Sequence, residues 1–155
     1  EATAPHGVMI LIEGITDSKN RTLAEIKHLL SEHNSRLAEP GSLLWNFERV
    51  GTLTIRMLTE TKKTKEDIEA VIIESGASDF HAEDDGWLVE TPATQREQVR
   101  AAIESGGVAV AEASHDYKPR APLPLALEAR AALEPFLDAL TEHPDVQEVY
   151  TNIDS

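Results

Sequence analysis

The side chains that could bind a metal or act as catalytic bases do not follow a recognisable spacing. The six histidines include no pair four residues apart, and no His-Glu-x-x-His run occurs. Ser114-His115-Asp116 has the letters of a catalytic triad, but neighbouring residues on a strand point to opposite faces and cannot line up for proton transfer. We therefore predict a protein that is not an enzyme and has no metal site, cofactor or catalytic residue.

The sequence also lacks other common chemical motifs. It has no cysteine, which excludes disulfides, thiolate zinc sites and cysteine nucleophiles. Neither glycine-rich phosphate-binding pattern, G-x-G-x-x-G or G-x-x-x-x-G-K-[ST], is found. Glu83-Asp84-Asp85 does not have the alternating ligands of a calcium loop, so a solvated hairpin tip is the favoured interpretation. A small-ligand enzyme is the weakest alternative, because the sequence displays no convergent polar groups.

The charge is unevenly distributed along a strongly acidic chain. The 155 residues carry 28 acidic and 14 basic side chains, a net charge of −14, which repels nucleic acid at long range. Two stretches, 19–36 and 49–65, are locally basic and are the candidates for phosphate contact. An ordinary solvated surface is the simpler explanation of both. Their candidate side chains are Lys19, Arg21 and Lys27 in the first stretch, and Arg49, Arg56, Lys62, Lys63 and Lys65 in the second.

Hydrophobic periodicity and capping patterns predict the elements that position these residues. We expect a strand over 7–15, a helix that opens with Thr22-Leu-Ala-Glu25 and ends near His33, and a strand pair within 43–57 that turns near Val50-Gly51. A helix capped by Thr64, a hairpin at 84–86, a helix opened by Thr94 and a strand over 108–113 follow. After a proline segment come a helix that Pro135 bends or restarts and a strand over 146–152.

This order predicts an α+β protein made of two small α/β-sandwich domains. Residues 51–118 contain a ferredoxin-like βαββαβ unit, which is inserted into a second βαβ…αβ domain formed by residues 1–50 and 119–155. The longest apolar run, 8–12, is far shorter than the ~20 residues that cross a bilayer, so we expect no membrane partner. A soluble cytoplasmic protein of bacterial type is predicted, in preference to one of the mitochondrial matrix.

Four blocks of the sequence resemble the YebC/PmpR family. Residues 16–22, Thr-Asp-Ser-Lys-Asn-Arg-Thr, resemble its T-D-N-x-N-R-T loop, and residues 24–28 resemble its A-E-[IV]-[RK]-H helix. Residues 39–48, E-P-G-S-L-L-W-N-F-E, are similar to its E-x-G-S-[VC]-x-W-x-F-[ED] segment, and residues 145–152, D-V-Q-E-V-Y-T-N, to its closing D-V-Q-x-V-Y-[TH]-N. The blocks span the chain in the family's order.

The chain departs from the family pattern at its glycines. The family's G-x-G-P-G-G-V segment is Ala2-Thr3-Ala4-Pro5-His6-Gly7-Val8 here, and the Gly-Gly pair after the first helix is Asn34-Ser35. Asn34 can still adopt a left-handed cap conformation. Family members begin with a lysine-rich helical domain, and the sequence, which opens at Glu1, is expected to start after that domain.

The resemblance implies a gene-expression factor without enzymatic activity. The family includes transcriptional regulators that bind DNA, mitochondrial activators of translation of a cytochrome oxidase subunit, and bacterial factors that assist ribosomes on difficult sequences such as proline runs. It also implies that Lys19, Asn20 and Arg21 lie on the loop before the first helix, where backbone N–H groups add to the attraction for phosphate. We expect weak, salt-sensitive binding to DNA or to rRNA on the ribosome. Such binding requires Lys19 and Arg21 to be exposed and not neutralised by carboxylates.

The alternative is a protein-interaction module. In this hypothesis the acidic segments 79–85 and 134–148 recruit basic ribosomal or transcription proteins, which is consistent with the net charge of −14.

Overall fold

The computed structural model describes residues 1–57 and 62–154, which form two compact units, residues 1–48 with 118–154 and residues 49–117. In chain order, the strands are β1 (Ala2–Ala4), β2 (Val8–Gly14), β3 (Arg36–Leu37), β4 (Phe47–Arg56), β5 (Asp79–Glu83), β6 (Gly86–Pro92), β7 (Glu112–Pro119) and β8 (Val146–Thr151). The helices are α1 (Lys19–Glu32), α2 (Lys65–Glu74), α3 (Arg96–Ser105) and α4 (Leu127–Thr141). The predicted α+β class is confirmed, because each unit combines a four-stranded sheet with two helices.

The first unit contains a sheet of order β3-β1-β2-β8 with helices α1 and α4. Strand β2 is central and pairs antiparallel with both β1 and β8. Its alternating Val8 and Ile10 are fully buried, as expected of apolar residues that share one face of a strand. They pack in one core with residues of both helices, namely Ile26, Leu30, Leu133, Phe136 and Leu140.

The second unit has the connectivity and strand order of a ferredoxin-like βαββαβ unit. Its sheet order is β5-β6-β4-β7, and its helices are α2 and α3. Thr64 caps α2 through the predicted reciprocal bonds with Asp67, and β5 and β6 form the predicted hairpin. The core is built around Trp87 and aliphatic residues of the sheet, the helices and the connection between α3 and β7, namely Leu53, Ile55, Ile68, Ile72, Val89, Val99, Ile103 and Val108.

Three predicted element positions are wrong. Helix α1 begins at Lys19, three residues before Thr22, because the Thr22 N–H already donates to the Ser18 carbonyl as a helical residue. The strand pair within 43–57 does not form, since Leu44–Asn46 is a short 3-10 helix and β4 runs without a turn through Val50-Gly51. The strand expected over 108–113 begins later, as β7 at Glu112. Val108 precedes it and packs in the core of the second unit.

The short strands β1 and β3 were not predicted, since three and two residues are too few to show a periodicity. Helix α3 begins at Arg96 after a 3-10 turn, Ala93–Gln95, that includes the predicted opening residue Thr94. Pro135 does not restart the last helix, because α4 is one helix on both sides of it. No helix among the described residues is long and apolar enough to cross a membrane.

Candidate nucleic-acid interface

The predicted phosphate-contacting residues fall into two sets, one in each unit. In the first unit, Lys19, Asn20 and Arg21 form the first turn of α1 instead of the loop before it, and Lys27 lies two turns further along. In the second unit the set consists of Arg49 and Arg56 on β4, Lys62 and Lys63 before α2, and Lys65 as the first residue of α2.

The start of α1 is an open helix N-terminus. Ser18 is the N-cap residue, but its side chain makes no capping bond, and its N–H instead donates to Thr16 Oγ1 at 3.0 Å. No acidic residue lies in the first turn. Lys19, Asn20 and Arg21 are all exposed there. The positive end of the helix dipole therefore adds to the charge of the basic side chains.

Arg21 is paired with three carboxylates. Its guanidinium lies 2.9 Å from Asp145 Oδ2, 3.2 Å from Asp17 Oδ1 and 3.6 Å from Glu25 Oε1. Asp145, more than Glu25 and Asp17, raises the pKa of the Arg21 guanidinium. The Arg21 side chain is 46% exposed, so it reaches solvent, but its charge is neutralised. The requirement for an unneutralised Arg21 is therefore not met.

Asp145 is the centre of this network, a position that no local pattern in the sequence predicts. The Thr22 hydroxyl donates to its Oδ2 at 2.6 Å. That hydrogen bond, ahead of the Arg21 guanidinium and a hydrogen bond from Thr16, lowers the pKa of Asp145 against the opposing effect of desolvation. Its side chain is only 17% exposed. The only signal in the sequence was that Thr22 and Asp145 both belong to family-like blocks.

Both glutamates of α1 also have partners. His143 Nδ1 accepts the Asp145 N–H at 3.2 Å, so in the neutral imidazole Nε2 carries the proton and donates to Glu25 at 2.8 Å. Glu32 lies 3.5 Å from His28 Nε2. The acids of the helix are thus engaged within the first unit.

Lys19 and Lys27 are different, because neither has an ion-pair partner within the described ranges 1–57 and 62–154. Both are exposed, as are Asn20 and the apolar side chain of Leu23. At about 100° per residue these four side chains fall within roughly a quarter of the helix circumference. We call this surface, Lys19, Asn20, Leu23 and Lys27, the α1 cationic face.

The second unit gives its basic set a mixed environment. Arg56 pairs with Asp85 at 2.7 Å, and Lys63 is half-buried. Arg49, Lys62 and Lys65 are exposed, with no ion pair to any residue that the structure describes. This second set thus has three exposed cations without an ion pair to a described residue.

Within residues 1–57 and 62–154, two side-chain groups could hold a metal ion. Glu25, His143 and Asp145 form one and Asp79, His81 and Glu90 the other, with ligand atoms within 4.8 Å of one another. In the first group the imidazole and both carboxylates are already hydrogen-bonded to protein groups. In the second, His81 Nε2 lies 3.8 Å from Asp79 and 3.6 Å from Glu90, a nitrogen-and-oxygen set that suits a divalent transition metal. The absence of a metal site stays a prediction.

The first unit also contains a cavity of about 530 Å³ beside α4 and the end of β8. It is lined mainly by aliphatic and charged side chains, among them Leu127, Glu134, Leu137 and Asp138. Arg130 also lines it and donates to the Asp154 carbonyl. No histidine, serine or cysteine lines this cavity, so its described lining offers no histidine-activated nucleophile.

Fold and surface together define a two-unit α+β protein with an inserted ferredoxin-like unit and a cationic helix face. Residues 1–153 match the family model described as "TACO1/YebC second and third domain". The chain therefore belongs to the TACO1/YebC family, which confirms the resemblance found in its sequence blocks.

Curated relatives and a solved structure agree with this assignment. A "Probable transcriptional regulatory protein" of Thermoanaerobacter pseudethanolicus is 34% identical over 154 residues, with 99% of this chain and 62% of that protein covered. One of Mycobacterium tuberculosis is 32% identical, with 99% and 60% covered. The crystal structure of a conserved hypothetical protein from Aquifex aeolicus matches with a TM-score of 0.84 at 27% identity, covering 99% of this chain and 62% of that one. The chain thus spans about three fifths of the length of these proteins.

Proposed function

We propose that this chain is the part of a non-enzymatic gene-expression regulator that binds nucleic acid, through the α1 cationic face. One observation carries the proposal: Glu25 is paired with Arg21 and His143, whereas Lys19 and Lys27 have no carboxylate partner among the described residues. Membership of a family whose relatives are named transcriptional regulatory proteins supports it. The ligand is a phosphodiester polyanion, either DNA or rRNA in the ribosome.

The proposal gives Arg21 a positioning role. Because its guanidinium is paired with Asp17, Glu25 and Asp145, it holds the first turn of α1 against the start of β8. Lys19, Asn20 and Lys27 then make the contacts with phosphate. A chain of net charge −14 binds only through such a local patch, so the binding is weak and falls steeply with salt.

The basic set of the second unit is proposed as a separate contact surface. Arg49, Lys62 and Lys65 are its exposed members that lack an ion pair in the described chain. We treat residues 51–118 as a domain inserted between residues 1–50 and 119–155, so each basic set is tested by its own substitutions.

The salt dependence of binding tests the α1 cationic face. Affinity falls as salt rises, and each lost phosphate contact makes the slope of log affinity against log salt less steep by ~0.9 for duplex DNA and ~0.7 for a single strand. For the double variant Lys19→Gln with Lys27→Gln, the slope should therefore be less steep by ~1.8 on a DNA duplex, or by ~1.4 on single-stranded RNA. Fluorescence anisotropy with the two labelled probes measures both and shows which nucleic acid binds more tightly.

Arg100 supplies the matched control. It lies on a helix and is already paired with Glu97 and Glu104. Arg100→Gln therefore removes a positive charge that is neutralised within the protein. The control should leave the salt slope unchanged. Equal slopes for the double variant, the control and the original chain would refute the α1 cationic face as the binding surface.

The protein-interaction alternative is favoured by the exposed acidic hairpin of the second unit. Asp79, Glu83, Asp84 and Asp85 are all exposed, although Asp85 pairs with Arg56. A pulldown with and without nuclease, at low and high salt, separates the two functions. Nuclease-resistant capture of basic proteins that is lost in Glu83→Gln with Asp84→Asn would favour this alternative over nucleic-acid binding.

A further inference from the structure

Trp45 is an aromatic side chain displayed on the surface of the first unit. It is 70% exposed, in the 3-10 helix Leu44–Asn46. Its indole N–H donates to the Ser42 carbonyl at 2.8 Å, so the polar atom of the ring is satisfied without burial of the ring. A large aromatic face is therefore left open to solvent, which is unusual for a residue that normally buries most of its area.

The segment that carries Trp45 is fixed from two sides. The Glu1 carboxylate accepts the N–H groups of Gly41 at 2.5 Å, Leu43 at 2.6 Å and Leu44 at 2.9 Å. On the other side, Arg120 Nε donates to the Trp45 carbonyl at 3.2 Å, and the Arg120 N–H donates to the Asn46 carbonyl at 2.8 Å. A ligand that binds the indole therefore meets a surface that is already ordered, which reduces the entropy lost on binding.

We propose that Trp45 is a stacking platform for an unpaired base of a single-stranded nucleic acid, with the Arg120 guanidinium beside it. This inference rests on the proposed function and specifies its ligand. One indole matches one base in size, and stacking on tryptophan accepts any base. Arg120 makes no ion pair with a described residue, so its charge is available to the adjoining phosphate.

The surroundings favour a base over a protein partner. A stable protein interface buries roughly 800 Å² on each side. On this segment the exposed large hydrophobic side chains are Leu44 and Trp45, bordered by polar Ser42 and Asn46. That is enough apolar surface for a nucleobase and little for a protein interface.

Fluorescence makes Trp45 separately observable. The chain has two tryptophans, and Trp87 is 2% exposed in the core of the second unit. A stacked base quenches the exposed indole, so oligouridylate should quench the acrylamide-accessible fraction of the emission. A length-matched abasic strand, which has the same phosphates and no bases, should leave that fraction unchanged.

Substitution at Trp45 tests the same point by affinity. Trp45→Ala should weaken binding of oligouridylate about 5- to 150-fold, and Trp45→Phe, which keeps an aromatic face, should weaken it less. Neither variant should alter binding of the abasic strand. Equal losses on both strands, or no loss on oligouridylate, would overturn the stacking platform.

The two proposals fail in different ways. If Lys19→Gln with Lys27→Gln weakens binding of the abasic strand but Trp45→Ala leaves oligouridylate binding intact, the α1 cationic face stands and the platform falls. The reverse pattern leaves the platform and removes the cationic face.

Discussion

The guanidinium of Arg21 lies 2.9 Å from the carboxylate of Asp145, although 124 residues separate the two in sequence. Thr22, next to Arg21, donates to the same carboxylate oxygen at 2.6 Å. Asp145 immediately precedes β8, so these bonds join the first turn of α1 to the start of the edge strand β8. Two of the family-like blocks thus meet in one network, and its first task is to hold α1 in place.

Removal of the Thr22 hydroxyl should destabilise the first unit. Thr22→Val keeps the shape of the side chain but loses a hydrogen bond to a charged group, a change that typically costs about 1.5–3 kcal/mol. Urea unfolding followed by circular dichroism measures the loss. The matched control is Thr141→Val, because the Thr141 hydroxyl donates only to the neutral Leu137 carbonyl at 2.9 Å, on an exposed part of α4. Equal costs at the two positions would show that the carboxylate network adds nothing.

The same network predicts how stability depends on pH. The pKa of Asp145 is lower in the folded chain than its usual value, chiefly because of the Thr22 hydrogen bond. The stabilisation is therefore complete above the unfolded pKa, about 3.9, and is lost as the pH falls through the lower folded value. Asp145→Asn should be less stable than the original chain near neutral pH, and the difference should shrink below about pH 3.9. A difference that stays constant across this range would contradict the assignment.

Elements with local sequence signals were predictable, and those defined by distant contacts were not. The α2 cap at Thr64 and the β5–β6 hairpin are encoded within a few residues, by a capping box and by Asp85-Gly86. The start of α1 was misplaced because Thr22 has the letters of a cap, while its hydroxyl is bonded to Asp145. Local spacing does not reveal a partner 123 residues away.

The basic residues of the candidate surface were predictable from the sequence, but their ion pairing was not. Sequence singled out Lys19, Lys27 and Arg21 alike, since all three are cations in one basic stretch. Only the folded arrangement separates them, because Asp145 comes from the far end of the chain to neutralise Arg21. The exposure of Trp45 was equally hidden, since alternation with apolar neighbours predicted a strand where the chain forms a 3-10 helix.

The turn after α1 tests the interpretation of the missing glycines. Asn34 has a φ of 54°, the left-handed conformation that the family's glycine pair would adopt without strain. Asn34→Gly should therefore fold with similar stability, whereas Asn34→Ala should lose about 1–2 kcal/mol, because the Cβ of alanine resists this conformation. Thermal unfolding of the pair of variants measures the difference. Equal melting temperatures would show that the backbone relaxes out of the left-handed region at no cost.

Glu1 should control the order of the Trp45 segment. Desolvation raises the pKa of its carboxyl, but the hydrogen bonds from Gly41, Leu43 and Leu44 together outweigh it and lower the pKa. The anchoring is thus present at neutral pH and is lost as the pH falls from about 4.3 through the lower folded value. Glu1→Gln keeps a single carbonyl oxygen and adds an amide N–H₂ that cannot accept, so at neutral pH the fluorescence anisotropy of Trp45 should fall.

Trp87 provides the internal reference for this experiment. It is buried in the second unit, and its indole N–H is bonded to Glu69, so Glu1→Gln should leave its emission unchanged. Acrylamide separates the two signals, because it quenches the exposed indole first. If the anisotropy of the accessible fraction is the same in Glu1→Gln and the original chain, Arg120 alone is sufficient to fix the segment. The ordered surface around Trp45 would then depend on its contacts with Arg120, of which Arg120→Gln removes the Nε bond to the Trp45 carbonyl and keeps the backbone bond to Asn46.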